Sequence, residues 1–188
     1  MVLCGYNVDM VRLEHVLDSW KAVRQDTIAA IEEFPAEDLD FRAAPGVATF
    51  REIAHHILNA SDGLSGLLLS GWERFNAPDF RERMKPYIRP LPATPGAQEL
   101  AQALRESIEQ RTAELASRPP EFFAHIITRV DGQRVTRLEM LQFIKEHELT
   151  HRAQMFMCMR LKGMVPATTR RRLARQAETQ RNPGACPI

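Results

Sequence analysis

The sequence contains no apolar run approaching the roughly 18 residues that a membrane-spanning helix needs. Its opening, MVLCGYNVDM, lacks the basic start and apolar stretch of a secretory signal, so neither a span nor a cleaved leader is expected. Cysteine is scarce: Cys4, Cys158 and Cys186 are odd in number, widely spaced and without a C-x-x-C, which argues against a disulfide framework. A reduced, cytoplasmic setting suits them better. An excess of either charge is also missing, with 25 lysines and arginines against 24 acids. Such a balance gives no electrostatic case for nucleic acid as a partner, and no membrane partner is expected either. Strand-like alternation is nearly absent outside Ile126–Val135. What remains is a chain of 188 residues, enough for one domain with a sizeable core.

Four segments carry helical periodicity. From Val8 to Phe34 the apolar positions Leu13, Val16/Leu17, Trp20, Val23, Thr27/Ile28, Ile31 and Phe34 recur at three/four spacing, and Pro35 ends the run. A second segment starts at Thr49, where Thr49-x-x-Glu52 reads as a capping box, and closes near Gly71. A third runs from about Ala97 to Ser117. The fourth begins at Thr136, with Glu139 completing another capping box, and continues to Lys162; Gly163 then stands where a left-handed C-terminal glycine belongs. Between the second and third lies a long connection rich in proline and aromatics, and Asp131-Gly132 signals a turn. Four long helices with long crossing connections predict an all-α four-helix bundle. The expected organisation is a metal-binding bundle over residues 1–166 and a basic tail or short extra helix over 167–188.

The stretch KEHELTHRAQMFM (residues 145–157) holds His147-Glu148-Leu149-Thr150-His151. One turn separates the two histidines, so both project from one helix face. A wheel drawn at about 100° per residue sets Met140, Ile144, His147, His151, Gln154, Cys158 and Leu161 in one stripe, which is expected to be the buried one. Two core histidines bonded to their neighbours are one account of this; metal ligation is the other. In the second helix His55 falls roughly 160° from the apolar centre and should face solvent, whereas His56 lies beside Ile53 and Ala60 and can turn inward. That makes His56 the candidate third ligand. His15 and His125 read as ordinary surface or loop histidines. Three imidazoles from two helices would leave open positions on a divalent metal, and the residue pattern does not choose among zinc, nickel, iron and cobalt.

As letters, HELTH is also the H-E-x-x-H of zinc peptidases, in which the glutamate is the base. The wheel puts Glu148 at the shoulder of the buried face, where it reads as incidental. The extended peptidase form wants glycine and histidine where Gln154 and Met157 stand. Downstream, the one glutamate available as an alternative ligand is Glu178, in the basic tail, and no upstream sheet could hold a substrate strand. A peptidase is therefore the less favoured reading.

The segments FPAEDLDFRAAPG, TFREIAHHILNASDG and EHELTHRAQMFMCMRLKG, in this order, resemble the DinB/YfiT-like superfamily of proposed metalloenzymes. In that superfamily the second-helix histidine comes seven positions after a cap-like serine or threonine, which selects His56. The late H-x-x-x-H-x-x-Q motif matches His147, His151 and Gln154, and the resemblance covers about residues 8–165. It implies a four-helix bundle with a His56/His147/His151 metal site, often a homodimer. It also implies a reaction between a low-molecular-weight thiol and an electrophile, of the S-transferase or isomerase kind. Gln154 would orient a ligand or an imidazole N–H. The alternative is a non-catalytic metal- or ligand-binding bundle, such as a dimeric stress-response protein.

Overall fold

The computed structural model describes residues 12–181. Cys4, Cys186 and the start of the first periodic segment at Val8 lie outside that range. Four long helices build the bundle: α1 (Leu13–Glu33), α2 (Phe50–Leu69), α4 (Ala97–Ala116) and α6 (Arg137–Leu161). Two one-turn helices, α3 (Phe80–Met84) and α5 (Pro120–Ala124), sit in the connections. The strands β1 (Ile126–Thr128) and β2 (Arg134–Thr136) form an antiparallel hairpin before α6, where the alternation was read. A last helix, α7 (Ala167–Arg181), buries no residue and is tied to α1 by the Arg170–Glu33 and Arg171–Asp26 ion pairs.

The helix ends follow their sequence signals. The Glu52 N–H donates to Thr49 Oγ1 at 3.0 Å and the Thr49 N–H to Glu52 Oε2 at 2.7 Å, closing the first capping box. Thr136 and Glu139 repeat the arrangement at the start of α6. Gly163 has φ +76°, the left-handed conformation that ends a helix without strain only in glycine.

Packing gives the chain path. α1 lies against α4 and α6, while α2 lies against the same two helices. One half of the core joins the end of α1 (Ile28, Ile31, Phe34) to the start of α2 (Phe50, Ile53, Ile57), the start of α4 (Leu100, Leu104) and the end of α6 (Met155, Met159). The other half joins the start of α1 (Val16, Trp20) to the end of α2 (Leu64, Leu68), the end of α4 (Ile108, Leu115) and the start of α6 (Met140, Ile144). Hence α1 and α6 run parallel, and α2 and α4 run parallel in the opposite sense. Residues 70–96 must then travel back along the bundle, and they do so over the outer face of α2. Gly63 and Gly66 make room: a Cβ on Gly66 would collide with the Tyr87 ring.

Between the two apolar halves lies a polar layer that the sequence reading missed. Arg24 and Glu148 are both fully buried, at 0 % and 1 % exposure. The guanidinium donates from Nε to Glu148 Oε1 at 2.8 Å and from Nη2 to Glu148 Oε2 at 2.9 Å, a bidentate pair. Its Nη1 reaches the Leu104 carbonyl of α4 and its Nη2 also reaches Ser61 Oγ of α2. Trp20 Nε1 and Thr27 Oγ1 complete the carboxylate, both at 2.9 Å.

The buried face of α6 is rotated from the expected one as a result. Of the expected stripe Met140, Ile144 and Cys158 are buried, but His147 and His151 sit at the edge of the core, Gln154 is exposed and Leu161 is 56 % exposed, while Leu141, Glu148, Met155 and Met159 face the core. The wheel left Glu148 at the shoulder of the buried face, and its buried partner on α1 is what draws it fully inside. Met155 and Met159 fill the core, and Met157 is exposed. Among the described residues no helix is long and apolar enough to cross a membrane.

Candidate metal centre

On the seam between α2 and α6, the side chains of His56, His147 and His151 converge. His147 Nε2 lies 3.3 Å from His56 Nε2 and 3.2 Å from His151 Nε2. One nitrogen from each ring falls within 4.8 Å of the others. The spacing within α6 brings the two later histidines together, and the antiparallel packing of α2 on α6 brings His56 to them.

The choice between the neighbouring histidines of α2 falls on His56, but not for the burial reason given by the wheel. His55 is the more covered of the two and joins no such cluster, whereas His56 keeps its outer edge in solvent. The site therefore opens at the bundle surface rather than inside the core, and the flank of α2 turned toward α6 is partly wet. His15 is exposed beside Arg12, and His125 pairs with Glu73 at 2.7 Å next to the hairpin. Glu52, one turn before His56, is taken by its capping box and by Arg42 at 3.3 Å.

Gln154 Oε1 lies 2.9 Å from His151 Nδ1. A carbonyl oxygen only accepts, so Nδ1 is the donor in this contact and Nε2 is the nitrogen turned to the cluster. Burial, then the adjoining imidazoles of His151 and His56, lower the pKa of His147 to about 4, against a smaller upward pull from the Glu148 charge. His56 is lowered as well, first by burial and then by His151. At neutral pH these two rings are uncharged, the state a metal requires of an imidazole. Lone pairs facing one another at this range repel unless a proton or cation lies between them. A cation held by three nitrogens at about 2.0–2.1 Å in tetrahedral fashion would set those nitrogens about 3.3 Å apart, close to the separations present. The donor set thus fits a divalent metal.

Glu148, the glutamate of HELTH, does not face the histidines. Its four hydrogen bonds come from Arg24, Trp20 and Thr27, so no lone pair is left to accept a proton from a water at the cluster. Burial pushes the Cys158 thiol pKa up, and this free cysteine stays protonated and inert.

The DinB family model matches residues 9–182 of the chain. The protein belongs to the DinB family. The match runs on through α7, past residue 165 where the motifs end. No curated protein matches the chain in sequence. Among solved structures, a DinB-like protein of Bacillus subtilis (YjoA) superposes with a TM-score of 0.62 at 18 % identity, covering 80 % of this chain and 93 % of its own. YfiT of Bacillus subtilis, described as a probable metal-dependent hydrolase with an unusual four-helix bundle topology, gives 0.62 at 16 % identity over 85 % and 94 % of the two chains. A mycothiol-dependent maleylpyruvate isomerase gives 0.58 at 14 % identity, over 77 % of this chain but 61 % of that one. At these identities the likeness concerns the fold, the all-α bundle with parallel α1/α6 and α2/α4 pairs.

Proposed function

We propose that this DinB-family protein is a metal-dependent enzyme in which His56, His147 and His151 hold one divalent cation, zinc or nickel before iron, cobalt or manganese. The observation that carries the reading is the convergence of three Nε2 atoms at 3.2 and 3.3 Å on an open seam. With neutral imidazoles as its ligands, the metal keeps its full positive charge and lowers the pKa of a thiol or water bound beside it.

The reaction we infer is attack by a low-molecular-weight thiol on a small electrophile, with transfer or isomerisation as outcome. The mycothiol-dependent isomerase with the same fold supports this choice. In that reaction Gln154 fixes the His151 ring and its tautomer, and the lowered pKa values of His56 and His147 keep both rings unprotonated at working pH. The solvent-open edge at His56 gives both reactants a way in. Hydrolysis is the second reading, supported by the description of YfiT and its higher coverage. The saturated Glu148 weighs against a peptidase. A homodimer, a cytoplasmic setting and the division near residue 166 belong to the same proposal; light scattering tests the first.

The test is elemental analysis of untagged protein followed by consumption of a generic electrophile in the presence of a thiol panel. Roughly one metal per chain and thiol-dependent turnover abolished by chelation are expected. Turnover without thiol would favour the hydrolase, and metal without turnover would favour the binding protein. Absence of metal after reconstitution with each candidate ion would refute the site.

A further inference from the structure

The three histidines stand on two helices whose mutual rotation and height decide whether their rings meet. The outer side of that seam is open, so packing from outside does not set those two quantities. Apolar packing from inside tolerates small slides and rotations, whereas a hydrogen-bonded ionic network has defined directions. One guanidinium touches both helices at this level. Arg24 grips Glu148, the residue after His147, and Ser61, five residues after His56. The same group reaches the Leu104 carbonyl of α4, and Trp20 and Thr27 of α1 hold the carboxylate from its other side.

We propose that Arg24 and Glu148 are positioning residues for the three-histidine site, fixing the rotation of α6 and its height against α2 so that the imidazoles converge. The inference rests on the metal reading above. Glu148 turns one side of α6 toward α1, and the helical step of about 100° leaves His147 and, four residues later, His151 on the flank toward α2. Ser61 registers α2 against the same guanidinium. The conserved-shape alternative, two apolar side chains, would fill the space without specifying this register; such replacements are often neutral or stabilising for a bundle.

The experiment uses cobalt(II) as the probe, because its visible bands report coordination geometry independently of turnover. Wild type, Arg24→Met/Glu148→Met, Ser61→Ala and Leu115→Ala are titrated with cobalt, and each is melted without metal. The paired methionine variant is expected to fold, to bind cobalt roughly tenfold more weakly and to show shifted bands. Ser61→Ala should weaken binding several-fold with unchanged helix content, which decides the matter if the paired variant fails to fold. Leu115→Ala empties space in the half of the core away from the site and should lower stability while leaving the spectrum as in wild type. Wild-type affinity and bands in the paired variant, or in Ser61→Ala if that pair does not fold, overturn the proposal. An equal spectral change in Leu115→Ala also overturns it, since general loosening would then suffice. Wild type that binds no cobalt removes the metal reading itself, and the inference falls with it.

Discussion

Acid should destabilise the metal-free protein through His147 in a narrow window. In the folded chain its pKa is about 4, against 6.5 for a free histidine. A lowered folded value means that the unfolded chain binds the proton more readily, so stability rises with pH between the two values and is lost as pH falls from about 6.5 to about 4. At about 1.4 kcal/mol per pH unit the full difference corresponds to about 3 kcal/mol, which the open edge of the site reduces to about 2 kcal/mol by solvent screening. Chelated protein unfolded in urea across this range should lose that much, while His147→Ala should lose less over the same interval. The difference between the two slopes isolates this histidine from the carboxylates that titrate lower. Equal slopes in the two proteins, or a flat profile down to pH 5, would refute the account of a half-buried imidazole held neutral by its surroundings.

The pair His55→Ala and His56→Ala separates the neighbouring histidines: the first should retain metal, the second should lose most of it, as read by isothermal titration. Metal loss in the His55 variant alone would contradict the geometry of α2. Gln154→Ala frees the His151 ring and its tautomer; roughly tenfold weaker metal binding with little change in the melting temperature is expected. Gly66→Ala drives a methyl group into Tyr87 and should lower stability by about 1–3 kcal/mol in denaturant titration, without altering metal affinity measured well below the midpoint.

The helices were legible because their ends are written in local chemistry: Thr49 with Glu52, Thr136 with Glu139, Pro35 and Gly163 act through neighbouring residues alone. The histidines at 147 and 151 needed only the helical repeat. The flank of α2 pointed to His56, and His56 is the one that meets His147 and His151, although the burial expected to accompany that place is reversed between it and His55. The rotation of α6 was misread, since Glu148 can be buried only if a distant residue neutralises it, and a wheel drawn on one helix has no access to that residue. A signal was nevertheless present. Arg24 interrupts the apolar stripe of α1 between Trp20 and Ile28, and Glu148 interrupts that of α6 between Ile144 and Met155. Single opposite charges embedded in two apolar stripes point to each other. The parallel pairing of α1 with α6 has no such local mark, because it depends on where the long connections travel.

That pairing governs how the chain acquires its shape during synthesis. Arg24 and Glu148 are separated by 124 positions. At about 5–20 residues per second, α1 waits roughly 6–25 s on the ribosome before its partner has been made. By the end of that interval α1, α2 and α4 have all been made, yet they carry an uncovered apolar seam and a cation without its carboxylate. Both halves of the core and the Arg24 pair are complete only once α6 has been made. The histidine cluster, whose members come from α2 and α6, is among the last parts of the molecule to exist.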